Sequence, residues 1–190
     1  VAVTLCMTAM LSAQNPAERY EQRYDMLVSQ FGAAGVGVET VLDNWEKVDS
    51  TNAKLLLARF NYLFTKAQSV SVVMKDNKKY LGMEPILTFK DSLQGNVYCY
   101  QETFFDDELY GKAVKAVDKA ISVHPDRLDF RFVKANALIA YEKESPGMAM
   151  NYLRSLVAEA SRRSADWIYE GSKVGKDFVQ EAMQEYCFSF

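Results

Sequence analysis

A chain of 190 residues in which 49% are hydrophobic and 25% charged holds enough apolar surface for a packed core, so wholesale disorder is excluded. The net charge of −3, with acids and bases interspersed, argues against a nucleic-acid binder, which needs a basic face to displace counterions. Lys75, Lys78 and Lys79 form the densest basic cluster and, like Arg162-Arg163, read as solvated surface.

In chain order, Val1 to Leu11 is apolar or small and uncharged, and Ser12-Ala13-Gln14 supplies small residues before a polar stretch. This pattern is that of the h-region and cleavage site of a secretory signal, with cutting after Ala13, although no basic n-region or initiator Met precedes it. The expectation is a signal remnant over 1–13 and an exported chain, periplasmic or outer-membrane associated. The run is too short to span a bilayer, and no integral membrane segment is expected in the mature chain. Leu5 before Cys6 is a poor fit to a lipoprotein site. Export would leave Cys99 and Cys187 in an oxidising compartment, where their pairing stays open.

Asn15-Pro16 starts a helix, Asn at the cap and Pro at the first helical position, and Gly32 ends it. After Gly35-Val36-Gly37 a second helix runs to about Val48, with Val38, Leu42 and Trp45 on one face. Asp49-Ser50-Thr51-Asn52 turns and caps a third, from about Ala53 to Gln68, apolar on more than one side. The period then changes. Val70, Val72 and Val73 are β-branched, and Ile86 to Lys90 and Val97 to Gln101 read as a β-hairpin across a turn-rich segment. Helical spacing returns over Glu108 to Val123, Arg127 to Glu144, Met148 to Arg162 and about Lys173 to Tyr186.

Ala113, Val117 and Ala120, followed by Pro125, match the second helix of a tetratricopeptide repeat. Val38, Leu42 and Trp45, and Ala149, Leu153 and Leu156, repeat the offsets. Small residues at such positions let helices approach closely. Ala113 and Ala149 lie 36 residues apart, against a repeat of about 34. Pro125-Asp126-Arg127-Leu128-Asp129-Phe130-Arg131-Phe132, Phe105-Asp106-Asp107-Glu108-Leu109-Tyr110 and Lys90-Asp91-Ser92 resemble exported tetratricopeptide-like proteins of Gram-negative bacteria, over about residues 15 to 187. Val133 stands where that family has Gly, and the usual Trp and Tyr positions of the first helices are missing.

The resemblance implies an all-α fold: a right-handed superhelix of tetratricopeptide-like helix hairpins over 15–187, with a β-hairpin inserted at about 70–106. The array ends without a capping Gly or polar outer face, so it is expected to continue beyond this sequence, or Phe188 and Phe190 fold back over the last helix. The resemblance supplies no catalytic residues.

No enzyme constellation emerges from the residues. Gly32, Gly35 and Gly37 follow a helix, not the strand that a phosphate loop requires. His124 precedes Pro125 at a helix end and reads as a cap. Asp126, Arg127, Asp129 and Arg131 read as an internally paired cluster, and Asp106, Asp107 and Glu108 as helix-start acids, since the Gly and ligand spacing of a calcium loop are absent. Glu102 lacks a positioned partner and Ser92 a base. No cofactor or metal is expected.

The expected function is a non-enzymatic scaffold whose groove holds a protein or peptide, with Asn61, Lys66, Lys134 and Asn136 as polar groove candidates. The alternative is a surface glycan-binding protein using the aromatic residues of the insertion, Tyr98 and Tyr100 with Phe104 and Phe105.

Overall fold

The computed structural model describes residues 15–91, 95–143, 145–163 and 165–188. The expected signal segment, Ser92 and Phe190 lie outside them. The elements are α1 (Pro16–Phe31), α2 (Val38–Val48), α3 (Ala53–Ala67), β1 (Gln68–Lys75), β2 (Leu87–Asp91), β3 (Gly95–Phe105), α4 (Asp107–Val123), α5 (Leu128–Tyr141), α6 (Gly147–Arg162), β4 (Trp167–Tyr169), β5 (Ser172–Val174) and α7 (Lys176–Phe188). Each helix packs on the next from α1 to α7.

Local chemistry sets the helix starts. The side chains of Asn15, Asn52 and Asp106 accept hydrogen bonds from Ala17 N, from Lys54 N and Leu55 N, and from Leu109 N, satisfying amides that the helix leaves orphaned. The start of α6 is capped from its predecessor. Both carboxylate oxygens of Glu142 accept at 2.8 Å, one from Met148 N and one from Ala149 N.

The three ladders form the contact faces. Val38, Leu42, Trp45, Ala113, Val117, Ala120 and Ala149 have no exposed surface, and Leu153 and Leu156 are buried with them. Gly37 at φ 86° turns α1 into α2, and at Gly35 a Cβ would lie 2.4 Å from Phe31 Cβ, so the hairpin turn needs glycine there.

The expected all-α superhelix is corrected. The described residues hold seven helices and two antiparallel sheets, so the fold is mixed α and β. The insertion is a three-stranded sheet in the order β1-β3-β2, not a hairpin. β1 leaves α3 with no turn between them, and β3 runs straight into the cap of α4. Gln68 pairs with Phe105, and Asp106 N donates to Ala67 O at 2.8 Å, so the strand pair prolongs the α3/α4 hairpin. At the junction Phe105 rests against Phe64, Tyr110 and Tyr141 at centroid distances of 5.5, 5.6 and 5.7 Å.

The second sheet is the hairpin β4-β5, whose two-residue turn puts Glu170 at φ 48° and Gly171 at φ 82°, the geometry of a primed turn. It is tied back by Ile168 N donating to Asp126 O at 2.9 Å. Trp167 is buried with the Arg131 and Arg163 guanidinium groups 4.9 and 4.3 Å from its ring.

Candidate functional site

Opposed residues of an antiparallel pair share a face. Val70, Val72 and Met74 of β1 therefore lie on the same face as Val97 and Cys99 of β3 and Leu87 and Phe89 of β2. On the other face Val73 opposes Tyr100, and Ser71 opposes Glu102. The two faces have different fates.

The Tyr100 face is covered at its centre, around Tyr100 and Glu102, while Ser69, Ser71, Thr88 and Phe104 on it are exposed. Tyr100 is fully buried, its ring 5.3 Å from Tyr80, and its hydroxyl donates to Asn77 O at 3.0 Å and Lys78 O at 2.6 Å. Burial pushes the Tyr100 phenol above its usual value, so it stays a neutral donor. Glu102 accepts from Tyr80 at 2.9 Å and pairs with Lys143 at 2.8 Å, linking the sheet to the end of α5.

The opposite face is open. Val70 and Val72 are each 58% exposed, Met74 67%, Leu87 59% and Phe89 41%; only Val97 and Cys99, on the central strand, are shielded. Contiguous exposed apolar surface of this kind marks interaction sites in soluble chains. β1 is also an outer strand, paired with β3 along all eight residues and with no strand on its other side among the described residues. It has no proline, and its sole charge is Lys75. Proteins usually blunt such edges with charges, prolines or bulges. This one is left regular.

The Lys143 ammonium beside Glu102 holds that carboxyl below the usual carboxylate range. A depressed folded pKa gives stability that is present above the unfolded value of about 4.3 and lost as pH falls through the folded value. Glu102→Gln is therefore expected to cost about 1 kcal/mol at pH 7 and less at pH 3, read from urea midpoints at the two pH values. An equal cost at both would show that the pair contributes no pH-dependent stability.

The expected groove residues do not converge. Lys66 lies 2.7 Å from the Tyr62 hydroxyl and 3.6 Å from Glu39, and Lys134 is ion-paired with Asp118 at 2.6 Å and sits over the Tyr152 ring. Asn61 is half-buried against the Tyr24 hydroxyl. Asn136 accepts from Tyr186 at 2.8 Å and borders a cleft remote in sequence from the insertion. Tyr98 is half-buried in β3 between Lys75 and Thr88, Phe105 belongs to the helix junction, and Phe104 is 41% exposed under the Lys143 ammonium. These aromatic residues make no shared platform.

Arg127 pairs with Asp129, Arg131 with Glu159 and with Pro125 O, and His124 Nε2 lies 2.7 Å from Thr51 O. Those side chains are occupied in holding loops. Cys99, buried, and Cys187, exposed, are both free thiols. Among the described residues no three histidine, cysteine or acidic side chains gather as a metal site requires, and no helix is long and apolar enough to cross a membrane.

No relative was found. Comparison with family models, curated proteins and solved structures returned no match. The site is therefore read from its own geometry, and the tetratricopeptide resemblance has no support beyond the chain's own spacing.

Proposed function

We propose that this protein is a non-enzymatic interaction module that takes an extended segment of a partner polypeptide as an added strand on β1. The observation carrying the reading is the regular, unpaired outer edge of β1 flanked by exposed Val70, Val72 and Met74. Strand addition gains affinity from main-chain hydrogen bonds and selectivity from alternate side chains. β-branched residues at every second position of the incoming segment would pair across the strand with Val70, Val72 and Met74.

Lys75, Lys78 and Lys79 gather at the end of β1. An antiparallel partner begins there, so its leading residues should be acidic. A second copy of this chain is the competing occupant, since self-pairing centred on Val72 would set Ser69–Lys75 of two copies side by side within β1, and the test separates the two.

The test uses a fluorescent peptide alternating valine and threonine behind two aspartates. Binding is measured by anisotropy to the native chain, to Val72→Lys and to the control Val36→Lys, in the α1–α2 turn. Val72→Lys is expected to weaken binding at least tenfold, about 1.4 kcal/mol, with Val36→Lys unchanged. Equal affinity for all three, or no binding at about 1 mM peptide, would refute the reading. So would a concentration-dependent dimer without peptide that Val72→Lys abolishes, because the edge would then belong to self-association.

A further inference from the structure

Residues of α5, β4 and α7 border a cleft of about 420 Å³ that the sheet edge does not use. Its wall is aromatic: Phe132, Tyr169, Phe178 and Tyr186. Phe132 stands 5.9 Å from Tyr169 and 5.8 Å from Tyr186, and Tyr169 is 5.0 Å from Phe178, with ring planes tilted by 46° to 59°. Tilted rings make a concave wall, whereas a sugar face stacks on a flat one.

Two carboxylates, Glu181 and Glu185, stand one helical turn apart on the α7 side of the cleft, both exposed. Neither is in an ion pair among the described residues, and no lysine, arginine or histidine lines the cleft. Burial pushes the Tyr186 phenol up to about 12, so the ring stays neutral, with its hydroxyl donating to Asn136 Oδ1. Aromatic faces present negative potential, and two carboxylates add to it. The lining thus has one sign throughout.

We infer that this cleft binds an organic ammonium group, its alkyl surface against Phe132, Tyr169 and Phe178 and its charge toward Glu181 and Glu185. A bare metal ion is a poor occupant, since hard cations take six or more oxygens and the lining is mainly carbon. The same chemistry arises from a free quaternary amine or from a lysine side chain of a partner, and the experiment separates them. The inference is independent of the β1 edge, so either can fail alone.

Titration calorimetry with choline is compared with its neutral isostere 3,3-dimethylbutan-1-ol. Choline is expected to bind at least tenfold more tightly, the charge being the difference. Glu181→Gln combined with Glu185→Gln, both at exposed positions, should weaken choline about tenfold and leave the isostere unchanged. Phe178→Leu keeps an apolar side chain but removes a ring face, and should weaken choline several-fold at a temperature where circular dichroism shows the variant still folded. A short peptide carrying trimethyllysine that binds more tightly than choline identifies a side chain as the source; weaker binding identifies a free amine. Equal binding of choline and isostere, or no binding of choline or the peptide at about 10 mM, overturns the inference.

Discussion

Trp45→Ala is expected to destabilise the protein by about 3–5 kcal/mol, the range for removing a large buried aromatic side chain. Trp45 has no exposed surface and centres the cluster that joins α1, α2 and α3, with Tyr24, Leu42, Leu55 and Ala58 around it. Its indole N–H has no hydrogen-bond partner among the described residues. Trp45→Phe should therefore cost much less than alanine, because the lost volume is offset by removal of an unsatisfied donor. Urea denaturation followed by circular dichroism and by the remaining Trp167 measures both. Costs under 1 kcal/mol for alanine would mean that the first ladder is not a packing face.

Trp167→Ala is expected to cost about as much, roughly 3–5 kcal/mol, for a different reason. Trp167 fills the space among Leu128, Leu156, Ala160 and Val179, and thus joins α5, α6 and α7. It is also the surface on which the Arg131 and Arg163 guanidinium groups lie. Arg131 is itself buried, with partners in Pro125 O and Glu159. Removing the ring opens a cavity beside a buried cation and admits water to it. Trp167→Leu fills part of the space but supplies no ring face, so a residual cost after correcting for volume reports the cation–π contribution. Differential melting of the two variants checks this. A leucine variant that recovers the stability its added volume predicts would assign the whole effect to volume, and equal melting temperatures for the two would assign it to the ring face.

The helices were legible because their start signals are local. Asn15-Pro16 and Asn52 cap in the structure at the positions where the sequence places them, Asp106, read as a helix-start acid, is the cap of α4, and the ladders of Val38, Ala113 and Ala149 are buried as their spacing requires. The strands were less so. β1 follows α3 without a turn, so no punctuation separates Ala67 from Gln68, and the alternation of Val70, Val72 and Met74 with Ser69 and Ser71 was the available sign. β4 and β5 have three residues each, too few for a period to register, and they moved the start of the last helix from Lys173 to Lys176.

Site residues were harder still. Lys66 and Lys134 stand out on apolar helices, but each meets an acid on a neighbouring helix, Glu39 or Asp118, which helical spacing along one element cannot reveal. Asn136 does reach a cleft, yet the residues that give that cleft its sign, Glu181 and Glu185, come from α7, some 45 residues away in the chain. The open sheet face is a product of pairing. Leu87 and Phe89 join Val70, Val72 and Met74 only because β3 lies between β2 and β1.

Everything proposed for the partner turns on the outer side of one strand, and amide hydrogen exchange observes that side residue by residue. In β1, alternate amides point toward β3 and away from it. With the acidic valine–threonine peptide bound, the outward-pointing set should slow by more than tenfold, while the inward set, already paired, changes little. Protection that appears on α5 or α7 instead, with the outward amides of β1 exchanging at their free rate, would contradict strand addition outright.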